Sequence, residues 1–230
     1  MGKPAIALHG VAKTFTMHLQ GGARLPAVAN VSLHVDFGEC VVLHGPSGSG
    51  KSSILKIIYG AYRCDAGRVA VREGAVETDV AIAAPRRILA LRRSTIGYVS
   101  QFLRVMPRVA ALDIVAGAAR EQGAPAEEAQ ARAAAMLRRL AVPERLWRLP
   151  PATFSGGEQQ RVNIARGLVA RHPILLLDEP TASLDAANRA NVVALIEEKK
   201  AAGVAVLGIF HDEDVRARLA DRIVALKGAA

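Results

Sequence analysis

The octapeptide Gly45-Pro46-Ser47-Gly48-Ser49-Gly50-Lys51-Ser52 constrains the chain more than any other feature. It lies between an apolar, β-branched run, CVVLH, and an amphipathic segment, SSILKIIYG. Strand, glycine-rich bend and helix, in that order, make a phosphate cradle. Glycines let the backbone turn tightly enough for successive N–H groups to face one phosphate, and the helix start adds its positive end. Lys51 would then reach the β- and γ-phosphates, and the Ser52 hydroxyl would coordinate Mg²⁺. The ligand this predicts is ATP with Mg²⁺.

A partner acid lies far downstream. ILLLDEP puts Asp178 at the end of an apolar run of strand character, where it would hold Mg²⁺ through its water shell. Glu179 follows at once, and a carboxylate there can polarise the water that attacks a γ-phosphate. Alone, the pair would be an ordinary strand end. The cradle upstream gives it a task.

Short apolar runs recur at 5–11, 31–35, 40–44, 68–72, 95–100, 174–177, 204–210 and 223–226. Runs of this kind suit strands covered on both faces. Helical patterns fall between them, most clearly at 51–59 and 186–202. The alternation predicts an α/β sandwich on a largely parallel sheet. The strand-rich start, up to about residue 80, predicts a smaller antiparallel sheet beside it. From Phe102 to Pro151 the pattern turns helical and Ala-rich, punctuated by Pro125, Pro143 and Pro150-Pro151. This predicts a helical subdomain over about 102–151, inserted in a core of about 1–101 and 152–230, all one nucleotide-binding domain. QGGARLP at 20–26 reads as the turn between two strands.

Length and composition fit this organisation. The 230 residues suit one domain or one core with an insert, and an apolar share of 51% excludes disorder as a whole-chain answer. Cys40 and Cys64 are too few for a disulfide framework, and Cys40 within ECVVLHG reads as a buried thiol. No charged-then-apolar leader is visible, and no apolar run approaches the ~20 residues that span a bilayer. The expectation is a soluble, cytoplasmic protein with no transmembrane segment of its own. Thirty Lys and Arg against 21 Asp and Glu leave a net charge of +9, which suggests an acidic partner such as phosphate, nucleic acid, an anionic membrane or an acidic protein.

FSGGEQQR, from Phe154 to Arg161, resembles the signature sequence of ABC ATPases. Ser155, Gly156 and Gly157 are in place, Phe154 stands where Leu is common, and Glu158 precedes Gln159. The residues also carry a reading of their own: Ser155 can cap the helix that follows, and the two glycines bare its N–H groups for a phosphate. Other pieces follow in the family's order. Gln101, ending TIGYVSQ, matches the Q-loop glutamine. Asp185 in SLD matches the D-loop. His211 in GIFHD matches the switch histidine. Phe15 in VAKTFTMH matches the aromatic that stacks on adenine, a place where a core Phe is as common. The resemblance runs from Ala5 to about Leu226.

The resemblance implies a P-loop NTPase fold: a three-layer sandwich with an antiparallel β subdomain and an inserted helical subdomain. It implies catalytic roles for Glu179, His211, Lys51 and Gln101, and Mg²⁺ contacts from Ser52, Gln101 and Asp178. Phe15, Gly45 to Ser53, Ser155 to Glu158 and Asp185 would touch nucleotide. Ser155 to Gly157 would act across a head-to-tail pair with a second ABC subunit, a copy of this chain or a paralogue.

Three stretches narrow the resemblance: VSQFLRVMPRVAALDIV, VPERLWRLPPATFSGGEQQRVNIARG and GIFHDEDVR are similar to the PhnL-type ABC proteins of the carbon–phosphorus lyase system. That implies an Mg-dependent ATPase accessory to the C–P lyase core subunits in phosphonate catabolism, paired with itself or a PhnK-like paralogue. The alternative is the ATPase subunit of a membrane ABC transporter of lipoprotein-release, drug-export or phosphonate type, peripheral to the inner membrane. In that case the groove beside the Q-loop, near Phe102 to Arg108, would receive the membrane chain. Nucleic-acid handling comes third: the charge permits it, but an aromatic share of 4% offers no evident stacking platform.

Overall fold

The computed structural model describes residues 3–17, 21–101, 103 and 108–228. Strands β1 (Ile6–Met17), β2 (Ala23–Val35), β4 (Ala66–Glu73) and β5 (Val76–Asp79) form an antiparallel sheet ordered β2-β1-β4-β5. Strands β3 (Cys40–His44), β6 (Ile96–Val99), β7 (Ile174–Asp178), β8 (Ala205–Ile209) and β9 (Arg222–Ala225) form a parallel sheet ordered β6-β7-β8-β3-β9. The helices are α1 (Lys51–Ile58), α2 (Pro85–Ser94), α3 (Ala111–Glu121), α4 (Ala126–Arg139), α5 (Gly156–Val169), α6 (Ala186–Ala201) and α7 (Glu213–Leu219).

Strand periodicity explains the layering. Along β3, Val41 and Leu43 point to one face of the parallel sheet, while Cys40 and Val42 point to the other. β7 alternates in the same way, with Ile174 and Leu176 against Leu175 and Leu177. The first face packs on α1, through Ile54, Leu55, Ile57 and Ile58, and on the antiparallel sheet. The second packs on α5 and α6 and continues into α3 and α4. Both faces being covered, β3, β7 and β8 carry almost no polar side chain. The chain thus forms the three-layer sandwich expected, with its antiparallel sheet and helical insert.

Several boundaries differ from the sequence reading. The turn at 20–26 is tighter: Gly21 and Gly22 carry it, β2 already begins at Ala23, and Gln20 lies outside the described residues. The segment 102–151 is not helical from its start: residues 109–110 are irregular, and α3 begins at Ala111. Two elements were not expected, β5 and α2. β5 is a short, polar edge strand. In α2, PRRILALRRS, only Leu91 is buried, so no apolar stripe marks it.

The insert solves a capping problem. Ala110 precedes α3 and has no side chain to accept the first helical N–H groups. The chain after α4 supplies the acceptors instead. The Ala111 and Leu112 N–H groups donate to the carbonyls of Leu149 and Trp147, both at 3.0 Å. The Trp147 indole in turn donates to the Val142 carbonyl at 2.9 Å. The stretch VPERLW is therefore the N-terminal lid of α3. Alanines at 111, 116, 119, 129 and 133 line the buried faces of α3 and α4 and let the helices approach closely.

Three arginines serve helix ends. Arg92 Nε donates to the Tyr59 carbonyl at the end of α1 at 2.9 Å. Arg93 bonds the Glu121 carbonyl at the end of α3, and Arg132 reaches the Val169 carbonyl at the end of α5 at 2.5 Å. Cations there meet orphan carbonyls and the negative ends of helix dipoles. The charge of +9 is therefore partly an internal matter, and weaker evidence for an acidic partner than composition suggested.

Cys40 is fully buried and Cys64 half-buried. Burial pushes the Cys40 thiol up to about 12. Under native conditions at pH 8, a thiol reagent should label Cys64 and leave Cys40 untouched until denaturant is added. Labelling of both in the folded protein, followed by mass spectrometry, would overturn this packing.

Candidate nucleotide site

Parallel pairing delivers the site residues to one edge of the sheet. β3 ends at His44 and runs into the glycine bend; β7 ends at Asp178, paired with Ile209 of β8. Glu179 follows β7, His211 follows β8, and Gln101 follows β6. Carboxyl ends of parallel strands are where ligands bind in such sheets.

The bend is built for backbone donors. Gly48 and Gly50 have φ of +80° and +86°, the left-handed region that suits glycine. A Cβ on Gly50 would run into the Ala27 carbonyl oxygen. Lys51 folds back over the bend, its Nζ donating to the carbonyls of Gly45 and Pro46, each at 2.8 Å. Ser49 Oγ is buried there without a hydrogen-bond partner among the described residues. A concave bend with an orphan hydroxyl and a folded-in ammonium suits a polyanion whose oxygens would take over those bonds.

Ser52 and Asp178 meet as the sequence predicts: Ser52 Oγ donates to Asp178 Oδ1 at 2.9 Å. Asp178 is only 4% exposed. Its other oxygen accepts a hydrogen bond from the Tyr98 hydroxyl, also at 2.9 Å. Burial first, and Asp178 second, push the Tyr98 phenol up, so it remains a proton-bearing donor. A hydroxyl and a carboxylate beside a phosphate cradle are hard oxygen donors, the set Mg²⁺ takes alongside phosphate oxygens and water. The residues present therefore fit the ion. Among the described residues, no cluster of three or more His, Cys, Asp or Glu side chains could hold a metal alone.

Glu179 anchors the second half of the site. Its φ is +52°, strained for a residue with a side chain, and its N–H donates to the Ile209 carbonyl at 3.1 Å. This conformation turns the carboxylate toward two predicted partners. Oε1 lies 2.6 Å from His211 Nε2, and Oε2 accepts from Gln101 Nε2 at 3.0 Å. A cleft of about 350 Å³ opens here, lined by Glu179, Thr181, Ala182, Arg189, His211 and Asp212. Arg189 pairs with Asp212 at 2.5 Å in its wall.

The signature residues form a helix start. Ser155 caps α5 in a capping box: its Oγ accepts from the Glu158 N–H, and the Glu158 carboxylate accepts from the Ser155 N–H at 2.9 Å. A hydrogen bond from the Ser155 hydroxyl to the Glu158 carboxylate at 2.8 Å, and then the one from the Ser155 N–H, hold the Glu158 carboxyl below its usual range. Glu158 thus faces its own cap, while Ser155 and Gly156 are exposed. Gly157 lies against the Ser183 carbonyl, which places the signature beside the D-loop. Asp185 caps α6, accepting from the Asn188 N–H at 2.8 Å. Phe15 sits half-buried on β1, edge-on to Tyr62 with ring centroids 5.1 Å apart. Phe102 and residues 104–107, named for the groove, lie outside the described residues.

Sequence reasoning missed three contributors. Tyr98 is one. Asn163 is another, fully buried on α5, with Nδ2 donating to the Ser100 carbonyl at 2.6 Å. It ties the signature helix to the residue before Gln101. Gln160, also buried, donates to the Pro180 carbonyl at 3.1 Å, tying the same helix to the chain after Glu179. Buried polar side chains on a helix otherwise apolar inside were the available signal.

Comparison with known proteins adds the following. A family model described as ABC transporter matches residues 28–182. The lipoprotein-releasing system ATP-binding protein LolD 2 of Caulobacter vibrioides is 41% identical over 99% of this chain and 96% of its own length. The macrolide export ATP-binding/permease protein MacB of Sodalis glossinidius is 37% identical over 99% of this chain, which spans 33% of that protein. Among solved structures, the dimeric post-hydrolysis state of the ATP-binding cassette MJ0796 with ADP and Pi superposes with a TM-score of 0.87 at 33% identity. It covers 96% of this chain, and the match takes in 94% of that one.

Asn163→Ala removes a buried hydrogen bond between the signature helix and the Q-loop strand. It should cost about 1–3 kcal/mol in urea unfolding. An unchanged midpoint would mean the bond does not hold these elements together.

Proposed function

The chain belongs to the ABC transporter family, and on that footing we propose that it is an MgATP-hydrolysing subunit that closes head-to-tail on a second ABC subunit. The observation that carries this reading is the grouping of Glu179, His211 and Gln101 beside the glycine bend and Asp178. Each residue has a chemical task. The bend's N–H groups and Lys51 grip the phosphates, Lys51 exchanging the Gly45 and Pro46 carbonyls for phosphate oxygens. Mg²⁺, when bound, would be held by Ser52 and Asp178 and would neutralise phosphate charge. Glu179 orients the attacking water and takes its proton; Gln101 and His211, which flank it, fix its two oxygens. His211 and Lys51 then stabilise charge on the transferring phosphoryl group.

The exposed start of α5 supports a two-subunit site. Ser155 and Gly156 are exposed there, and a helix start is a ready anion site for a partner's nucleotide. The dimeric cassette MJ0796 supports the same arrangement. Phe15 and its edge-on partner Tyr62 offer a surface for adenine, and Asp185 a contact across the pair. Two basic subunits repel; nucleotide anions between them would favour closure.

The names of the relatives, lipoprotein-releasing and macrolide export proteins, support a membrane permease as the further partner. No described helix is long and apolar enough to cross a membrane, so any spanning segments on this reading would come from another part of the assembly. A cavity of about 610 Å³ reaches from Ser52 and Asp178 to Tyr59, Arg92 and Arg166, and its Tyr59, Arg92 and Arg166 side would receive it. A second reading has the C–P lyase core as partner, with a PhnK-like paralogue. It is favoured by the stretches SQFLRV, VPERLW and GIFHDE. Of these, VPERLW caps α3 whatever the partner, so it discriminates least. Affinity purification from the native host separates the readings: a recovered permease supports transport, and recovered lyase subunits support phosphonate catabolism.

Glu179→Gln should lower turnover by about 10²–10⁴-fold and leave ATP binding intact, the loss expected for a base. Steady-state phosphate release and nucleotide titration check both halves; turnover near wild type would remove Glu179 from its role. Lys51→Ala should weaken nucleotide binding, and unchanged affinity would mean that the phosphates sit elsewhere.

A further inference from the structure

Tyr98 stands between the two regions that any coupling must join. Its hydroxyl donates to Asp178 Oδ2 at 2.9 Å, while Ser52 holds Oδ1 at the same distance. The buried carboxylate is therefore held from both sides, and of these two partners the phenol lies outside the phosphate cradle. The other face of Tyr98 belongs to the groove. Its ring stacks on Tyr59 with centroids 5.0 Å apart and an interplanar angle of 27°. Arg92 lies over Tyr59, its guanidinium carbon 4.4 Å from the ring centroid, and Arg92 Nε bonds the Tyr59 carbonyl. Arg92, Tyr59 and Tyr98 all line the 610 Å³ cavity, whose floor includes Ser52 and Asp178.

We propose that Tyr98 is a positioning residue for Asp178, and that the Arg92–Tyr59–Tyr98 stack makes the grip on magnesium respond to what fills the groove. A carboxylate free to rotate presents its oxygens to a cation only part of the time. One held by a phenol on one oxygen keeps the other aimed at Ser52, where the cation would sit. The stack fixes the phenol, so an occupant that moves Arg92 or Tyr59 shifts the ring and loosens or tightens Asp178.

This inference rests on the MgATP reading above. Its test uses Mn²⁺ as a spectroscopic stand-in for Mg²⁺, titrated by electron paramagnetic resonance into the full-length protein loaded with ATP. Tyr98→Phe keeps the ring and its stack and removes only the hydroxyl. It should weaken Mn²⁺ binding about tenfold, the scale of a hydrogen bond to a charged group. ATP affinity measured in EDTA should stay at the wild-type value. Arg92→Ala should weaken Mn²⁺ binding about threefold, the scale of an exposed cation–π contact, and should add nothing in the Tyr98→Phe background. Wild-type Mn²⁺ affinity in Tyr98→Phe would overturn the positioning role. Additive effects of the two substitutions would overturn the link to the groove. A wild-type protein that held no Mn²⁺ with ATP would instead overturn the underlying MgATP reading.

Discussion

Parallel pairing is the constraint on which the site depends. Antiparallel strands would send alternate loops to opposite ends of the sheet. Here β3, β6, β7 and β8 run one way, so the bend after β3, the acids ending β7, Gln101 and His211 emerge together. The register refines this: Asp178 pairs with Ile209, so the residues just beyond each can meet at hydrogen-bond distance. Parallel strands need both faces covered, and the two apolar clusters on either side meet that need. Core packing and chemistry are thus one requirement seen from two sides.

The helical insert answers to a different economy. Its helices α3 and α4 begin without side-chain caps, and the carbonyls of Trp147 and Leu149 close α3. Arginines from other elements finish the C-terminal ends of α1, α3 and α5. Charge that composition alone would assign to a partner is in part absorbed by the fold. Two surfaces stand apart from that internal use: the exposed start of α5 and the aromatic, basic cavity beside Gln101.

How much was legible follows from what each feature demands. The phosphate bend was readable because only glycines, a lysine and a hydroxyl in fixed order can do its work. Asp178 and Glu179 were readable as an acid pair closing an apolar run. β5 escaped because VETD, an edge strand, pairs through backbone and carries no apolar alternation. α2 escaped because a helix with one buried residue has no stripe to read. Tyr98 and Asn163 escaped for a sharper reason: each acts through a single polar atom whose partner is distant in sequence, 80 and 63 residues away. The partner's identity was least legible, and the relatives this chain resembles bear names from different systems, lipoprotein release and macrolide export.

The Asn163 tie has a mechanical consequence. Its amide fastens α5 to the backbone one residue ahead of Gln101, and Gln160 fastens the same helix just beyond Glu179. A rotation of α5 against the sheet cannot proceed while both fastenings hold unless it drags the glutamine and the strained acid with it. So long as those two amide bonds are kept, the signature start and the backbone flanking Gln101 and Glu179 travel as one piece.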